Sequence, residues 1–260
     1  MTTSSFPDQL GYITEFSSAP QRIISLVPSQ TELLADLDLD EKVIGITKFC
    51  THPADWRTRK TIVGGTKNFW FDVIAGLNPD LIIGNKEENY KEGIEILREK
   101  YPVWMSDITT LQDALSMIAS VGLITDRQNL ATQRAKEIVD KFRKINKHEG
   151  QAVLYLIWRQ PWMAAGKNTF IDAMLTTMGL CNVIESKDRY PVLTTKEIKA
   201  LAPQYIFLSS EPFPFNKRHD DELHQISPTS KNFLVDGEMF SWYGSRLLKA
   251  ANYFNTLELD

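Results

Sequence analysis

Two carboxylates stand at matching places in this chain. Glu87 closes the stretch "LNPDLIIGNKE" (77–87) and Glu211 closes "LAPQYIFLSSE" (201–211), with Pro79 answering Pro203 and Ile82 answering Ile206. Such a pair could serve a hydrolase as general acid and base. It could equally be a polar anchor or docking group, which needs no perturbed pKa. The remaining reactive side chains are sparse. Cys50 and His52 in "CTHP" could touch a metal, but two ligands fall short of a structural site. His219 and His224, five apart in "RHDDELH", do not fit HExxH and read as decoration on a solvated helix. Gly64-Gly65 belongs to neither a GxxxxGK[ST] loop nor a GxGxxG loop, and there is no G-x-S-x-G elbow. Cys50 and Cys181 make no disulfide framework and read as free thiols, with pairing between them left open. A metal-cluster enzyme would need more cysteines than these two. No catalytic residue, no metal ligand and no intrinsic cofactor is assigned.

Aromatic rings are the better supplied chemistry. Phe49, Phe69, Trp70 and Tyr90 lie in or beside loops of the first half, and Trp158, Trp162, Tyr190, Phe213, Phe215, Trp242 and Tyr243 in those of the second. Rings outside core periodicity suit the face of a large, flat ligand, although each could also cap a core. In "WRQPW" (158–162) and "SEPFPF" (210–215) the prolines hold the rings out of regular structure. Arg159, Lys167, Arg189, Lys217 and Arg218 offer charge to an anionic chelate, or simply a solvated surface.

Short apolar runs alternating with amphipathic stretches must position these groups, the pattern of βα units and a mostly parallel sheet. The first set is the strand "RIISLV" (22–27), a helix from Pro28-Ser29 through "TELLADLDL", the strand "KVIGIT" (42–47), a short helix at 70–77, the strand "LIIG", a helix at 87–100 and the strand "VWM". The second set is "AVLYLIW" (152–158), a helix at 168–180, the strand "NVIE", a helix at 194–202, "YIFLSS", "NFLVD" (232–236) and a closing helix from about 242. A second echo sets Val43-Ile44 against Val183-Ile184. The reading is an N-terminal segment (1–21), an α/β lobe (22–117), a connecting helical region (118–149) and a second α/β lobe (150–260), with a ligand cleft between the lobes. From Asp126 to His148 there is no Pro or Gly, and Leu130, Ala131, Ala135, Ile138, Val139 and Phe142 keep helical spacing. A stiff strut of some 20 residues, about 30 Å long, is expected there.

The 260 residues carry a net charge of −4, with 43% hydrophobic and 24% charged residues, so the basic excess of a nucleic-acid binder is missing. The opening "MTTSSFPDQLGYITEFSSAPQR" shows no secretory signal, and no apolar run reaches the ~20 residues of a spanning helix. Taken alone, this suits a cytoplasmic protein or a mature exported one.

The stretches "RIISLVPSQTELLADLDLDEKVIGITKFCTHP", "VGGTKN", "LNPDLIIGNKE", "LAPQYIFLSSEPFPF" and "DGEMFSWYGSR", with the long mid-chain helix, together resemble the cluster-III substrate-binding proteins of ABC importers, the helical-backbone metal receptors. Within that group the similarity runs toward the cobalamin binders. The resemblance covers residues 20–257. It implies two α/β lobes joined by a backbone helix, a monomer held in the periplasm or on the cell envelope, no catalysis, and delivery of ligand to the transmembrane subunits of a permease. Carried over to this chain, the ligand contacts would fall on Pro28, Ser29, Phe49, Thr66, Asn85, Trp158, Trp162, Tyr190, Phe213 and Trp242, and the permease contacts on Asp72 and on Glu197 beside Lys196. Cobalamin or a related corrinoid is the implied cargo. A ferric siderophore or haem is the alternative within the same fold, and a cytosolic corrinoid-handling protein or enzyme the alternative outside transport. Where the cobalamin binders carry tryptophan this chain has Thr66 and Asn85; Trp70, Trp158, Trp162 and Trp242 are the rings that could compensate.

Overall fold

The computed structural model describes residues 4–259, which pack as two compact α/β units. The first comprises residues up to 108, 112–140 and 243–247; the second comprises 109–111, 141–242 and the chain from 248.

The first unit opens with a hairpin of β1 (Ser4–Pro7) and β2 (Ile13–Phe16). Its body runs β3 (Ile23–Ser25), α1 (Pro28–Asp36), β4 (Val43–Ile46), α2 (Trp56–Arg59), β5 (Thr61–Ile62), a small hairpin of β6 (Gly64–Gly65) and β7 (Asn68–Phe69), α3 (Phe71–Leu77), β8 (Leu81–Asn85), α4 (Lys91–Arg98) and β9 (Val103–Ser106). The five body strands form one sheet in the order β5-β4-β3-β8-β9, every pairing parallel. β3, β8 and β9 are buried along their whole length, as strands of a parallel sheet covered on both faces are, so no position is left for a solvent-facing polar residue. The helices α5 (Leu111–Ile124) and α6 (Gln128–Phe142) follow.

The second unit runs β10 (Ala152–Trp158), β11 (Trp162–Ala164), α7 (Phe170–Thr177), β12 (Cys181–Asn182), β13 (Val192–Leu193), α8 (Thr195–Leu201), β14 (Tyr205–Ser209), α9 (Lys217–Ile226), β15 (Lys231–Val235), α10 (Gly237–Ser241) and α11 (Leu247–Phe254). Its sheet has the order β13-β11-β10-β14-β15, with β12 also pairing β10. β14, β15 and β12 run parallel to their partners, whereas β11 folds back antiparallel on β10. Leu154, Leu156, Trp162, Ile198, Ile206, Leu208, Phe215 and Leu223 form its core.

The echo in the sequence is a repeat in the structure. α3 and α8 are each seven residues long, and each ends in a left-handed residue, Asn78 (φ +45°) and Ala202 (φ +40°). Pro79 and Pro203 come next, then the buried strands β8 and β14. Beyond them α4 leads to β9 as α9 leads to β15. The second echo is looser. β12 ends at Asn182, so Val183-Ile184 lie in a turn, where the Asn182 side chain accepts from the Ile184 N–H at 3.2 Å, and not in the expected strand.

Four expectations about organisation need correcting. Residues 4–16 are no separate segment: Gln9 donates to the Met105 carbonyl (3.0 Å), and Asp8, ion-paired with Arg98, also accepts from the Met105 N–H (3.3 Å), satisfying the outer edge of β9. The 118–149 region is no independent connector, because α5 and α6 as far as Asp140 pack with the first unit. Nor is there one helix of 20 residues. Asp126 adopts φ +58° and ends α5, and α6 has 15 residues, about 22 Å. α6 stops where Phe142 and Ile145 turn into the second unit's core, Phe142 meeting Phe254 edge-on at 6.2 Å. The closing helix also starts later than expected, after the separate turn of α10.

Candidate functional site

Because β3, β4, β5, β8 and β9 are parallel, their carboxyl ends share one edge of the sheet, where α/β proteins place ligands. Pro28 and Ser29 begin α1 directly after β3 and are buried, Pro28 filling a first-turn position where its missing N–H is harmless. Phe49 follows β4 and stands 51% exposed. The loop beneath it is fixed by the Lys48 N–H, which donates to the Gly64 carbonyl at 2.8 Å. Gly64 has φ +112°, and a Cβ there would sit 2.3 Å from the Asn68 carbonyl oxygen. A Cβ on Gly65 would come within 3.1 Å of the Phe49 ring, so the ring lies on bare backbone. Thr66, next in line, is half-buried, and its carbonyl accepts from the Asn89 amide at 3.0 Å.

Asn85 plays a different part from the expected one. It is 2% exposed; its Oδ1 accepts from the N–H groups of Glu87 (2.9 Å) and Glu88 (3.1 Å), and its Nδ2 donates to Ser106 Oγ (3.0 Å). It organises the loop after β8. Tyr243 is also buried in this unit, and burial pushes its hydroxyl well above the ordinary phenol range. Nearby in sequence, Arg246 pairs with Glu32 at 2.8 Å, both buried.

In the second unit the carboxyl ends of β10, β14 and β15 deliver Trp158, Ser210-Glu211 and Asp236. Trp158 is 38% exposed and meets Phe213 edge-on at 5.5 Å; Phe213 in turn contacts Phe215 at 4.8 Å and His219 at 5.1 Å. Trp162 faces the other way. It stacks on Phe215 (interplanar angle 5°) beneath the Arg159 guanidinium at 4.3 Å and belongs to the second unit's core. Tyr190 is half-buried, with the Arg189 guanidinium 5.8 Å from its ring. Trp242 is 7% exposed, and its Nε1–H donates to Glu211 Oε1 at 2.9 Å. The same oxygen accepts from Ser241 Oγ at 2.7 Å. Burial pushes the Glu211 carboxyl above its usual range, with Glu238 and Asp236 adding like charge. Glu211 is thus an internal anchor for α10 and Trp242.

The charged candidates are largely engaged. Arg159 forms a two-pronged pair with Glu222, one prong at 3.1 Å, and Lys217 pairs with Asp220 (2.7 Å) and Asp221 (2.8 Å). Arg189 donates to the Asn168 carbonyl at 2.8 Å, whereas Lys167 and Arg218 have exposed side chains. Asp72 is exposed in the first turn of α3. Glu197 closes a capping box with Thr194 and accepts from Lys187 Nζ at 3.0 Å; the Thr194 N–H, followed by Lys187, holds its pKa down at about 2. His219 Nδ1 accepts from the Asn216 N–H at 3.1 Å and caps α9. Cys50 is a buried thiol between Thr31 and Thr47, raised by burial; Cys181 is exposed, and both are free. The residue overlooked by sequence reading is Lys48, whose only signal was its place beside Phe49 in "TKFC".

Comparison with known proteins places this architecture. A periplasmic binding protein family profile matches residues 23–232. The chain belongs to the periplasmic binding protein family. It is 26% identical over 246 residues to an uncharacterized ABC transporter substrate-binding lipoprotein, YvrC, of Bacillus subtilis (88% of this chain, 77% of that protein). It is 22% identical over 241 residues to the vitamin B12-binding protein of Pectobacterium carotovorum (89% and 86%). The periplasmic haem-binding protein HutB of Vibrio cholerae superposes with a TM-score of 0.78 at 18% identity, covering 92% of this chain and 99% of that one, a likeness of fold. Among the described residues no helix is long and apolar enough to cross a membrane.

Proposed function

We propose that this family member is the substrate-binding protein of an ABC importer at the cell envelope, capturing a corrinoid such as cobalamin and yielding it unchanged to the permease. The observation that carries the reading is the pair of half-exposed rings, Phe49 and Trp158, at the carboxyl ends of the two sheets. Each is held from below, Phe49 on the backbone of Gly65 and Trp158 against Phe213, so each presents a fixed apolar face at little ordering cost. Vitamin B12 binding by relatives supports the choice of cargo. The siderophore reading is weakened by the ion pairs that neutralise Arg159 and Lys217. Haem is the second reading, favoured by the half-buried phenol of Tyr190 as an oxygen donor for iron. Asp72 is the group we assign to permease docking; Glu197, closed into its capping box, serves α8 instead.

Titration with cyanocobalamin, followed through tryptophan emission and calorimetric heat, tests this reading. Quenching and heat at micromolar ligand are expected; silence in both removes corrinoids, and a Soret shift with haem would select the second reading.

A further inference from the structure

We propose that Lys48 reads an acidic group on the edge of the ligand whose flat face rests on Phe49; the proposal rests on the functional reading above. Three lysines occupy the carboxyl-end loops of the first unit. Lys86 pairs with Asp107 at 2.6 Å, and Lys67 donates to the Glu87 carbonyl. Of these three, Lys48 alone has no carboxylate or carbonyl holding its ammonium; its Nζ lies 5.1 Å from the centroid of the Phe49 ring. Its stem is nevertheless held. The Lys48 N–H bonds to Gly64, and a Cβ on Gly65 would lie 3.4 Å from Lys48 Cε, next to the Phe49 ring edge at 3.1 Å. One glycine surface therefore carries both the lysine stem and the ring, both residues exposed, with the ammonium over the ring.

A cation fixed at the rim of an apolar platform suits a planar molecule with an anionic substituent, and a lysine supplies a point charge without demanding two-pronged geometry. Both a macrocycle bearing carboxylates and one bearing a phosphodiester satisfy that chemistry. A ligand lacking the anion would still stack on Phe49 but gain nothing from Lys48. The residue would then set which forms of one macrocycle are accepted and contribute little to holding the ring system itself.

Two matched ligand pairs test this by calorimetry on wild type and Lys48→Gln: haem against its dimethyl ester, and cobalamin against cobinamide, which lacks the phosphodiester. The expected result is about a 2- to 5-fold loss for the acid-bearing member of whichever pair binds, a shallower salt dependence, and an unchanged constant for the other member. Equal losses for both members, or no loss for either, overturn the assignment of Lys48 while leaving the function standing. Binding of none of the four by wild type removes the functional reading and the proposal with it. Phe49→Ala, weakening both members of the pair alike, separates the ring's part from the cation's.

Discussion

The two tryptophans of "WRQPW" are four residues apart, yet Trp158 keeps 38% of its surface and Trp162 only 4%. Pro161 between them marked both as rings held outside regular structure, but Trp158 ends β10 and Trp162 opens β11. Which one faces outward was not legible, because it depends on β11 folding antiparallel onto β10 and turning Trp162 against Phe215, a pairing between residues 53 apart in the chain. Asn85 and Glu211 carry the same lesson: Asn85 ends a buried strand and Glu211 lies just beyond one, and only the fold reveals that their acceptors are occupied from within. Glu211 gives a pH signature. Its folded pKa lies above the unfolded carboxylate value, so at pH between the two the native state binds more protons than the unfolded one, and stability falls as pH rises through that window. Glu211→Gln keeps an acceptor for Trp242 and Ser241 but has no charge to bury. Denaturant unfolding at a series of pH values should therefore show the variant gaining on wild type as pH rises from the ordinary Glu range. Parallel curves would show that burial of this carboxylate has no energetic consequence.

At the scale of elements, α3–β8 and α8–β14 were the most legible parts. A helix ending in Leu, a Pro two residues later and an Ile-rich strand recur with unchanged spacing, and both copies fold alike. α6 was less legible, since an uninterrupted helical pattern does not reveal where tertiary packing will end it. The C-cap positions differ informatively. Asn78 tolerates its left-handed conformation, whereas Ala202 holds φ +40° with a Cβ that clashes with its own backbone. Ala202→Gly should relieve that strain and, after glycine's extra chain entropy, raise stability by about 0.5–1 kcal/mol, read as a higher denaturant midpoint at unchanged slope. A lowered midpoint would mean that Ala202 is not strained.

For the whole molecule, two similarly ordered α/β units, a modest net charge and aromatic loops were all readable in the sequence, and membership of the periplasmic binding protein family accounts for them together. The division of the chain was less so, since residues 243–247 return to the first unit through the buried Arg246–Glu32 pair, a contact between positions 214 apart. The claim on which function depends is that the half-exposed rings Phe49 and Trp158 both help to hold the cargo. Calorimetric titration of wild type, Phe49→Ala and Trp158→Ala with cyanocobalamin tests it most directly. The expected result is one ligand per chain and a loss of about 10-fold in affinity for each variant, the effect of removing one stacked ring. Full affinity in either variant, or a second equivalent of ligand bound, would contradict it.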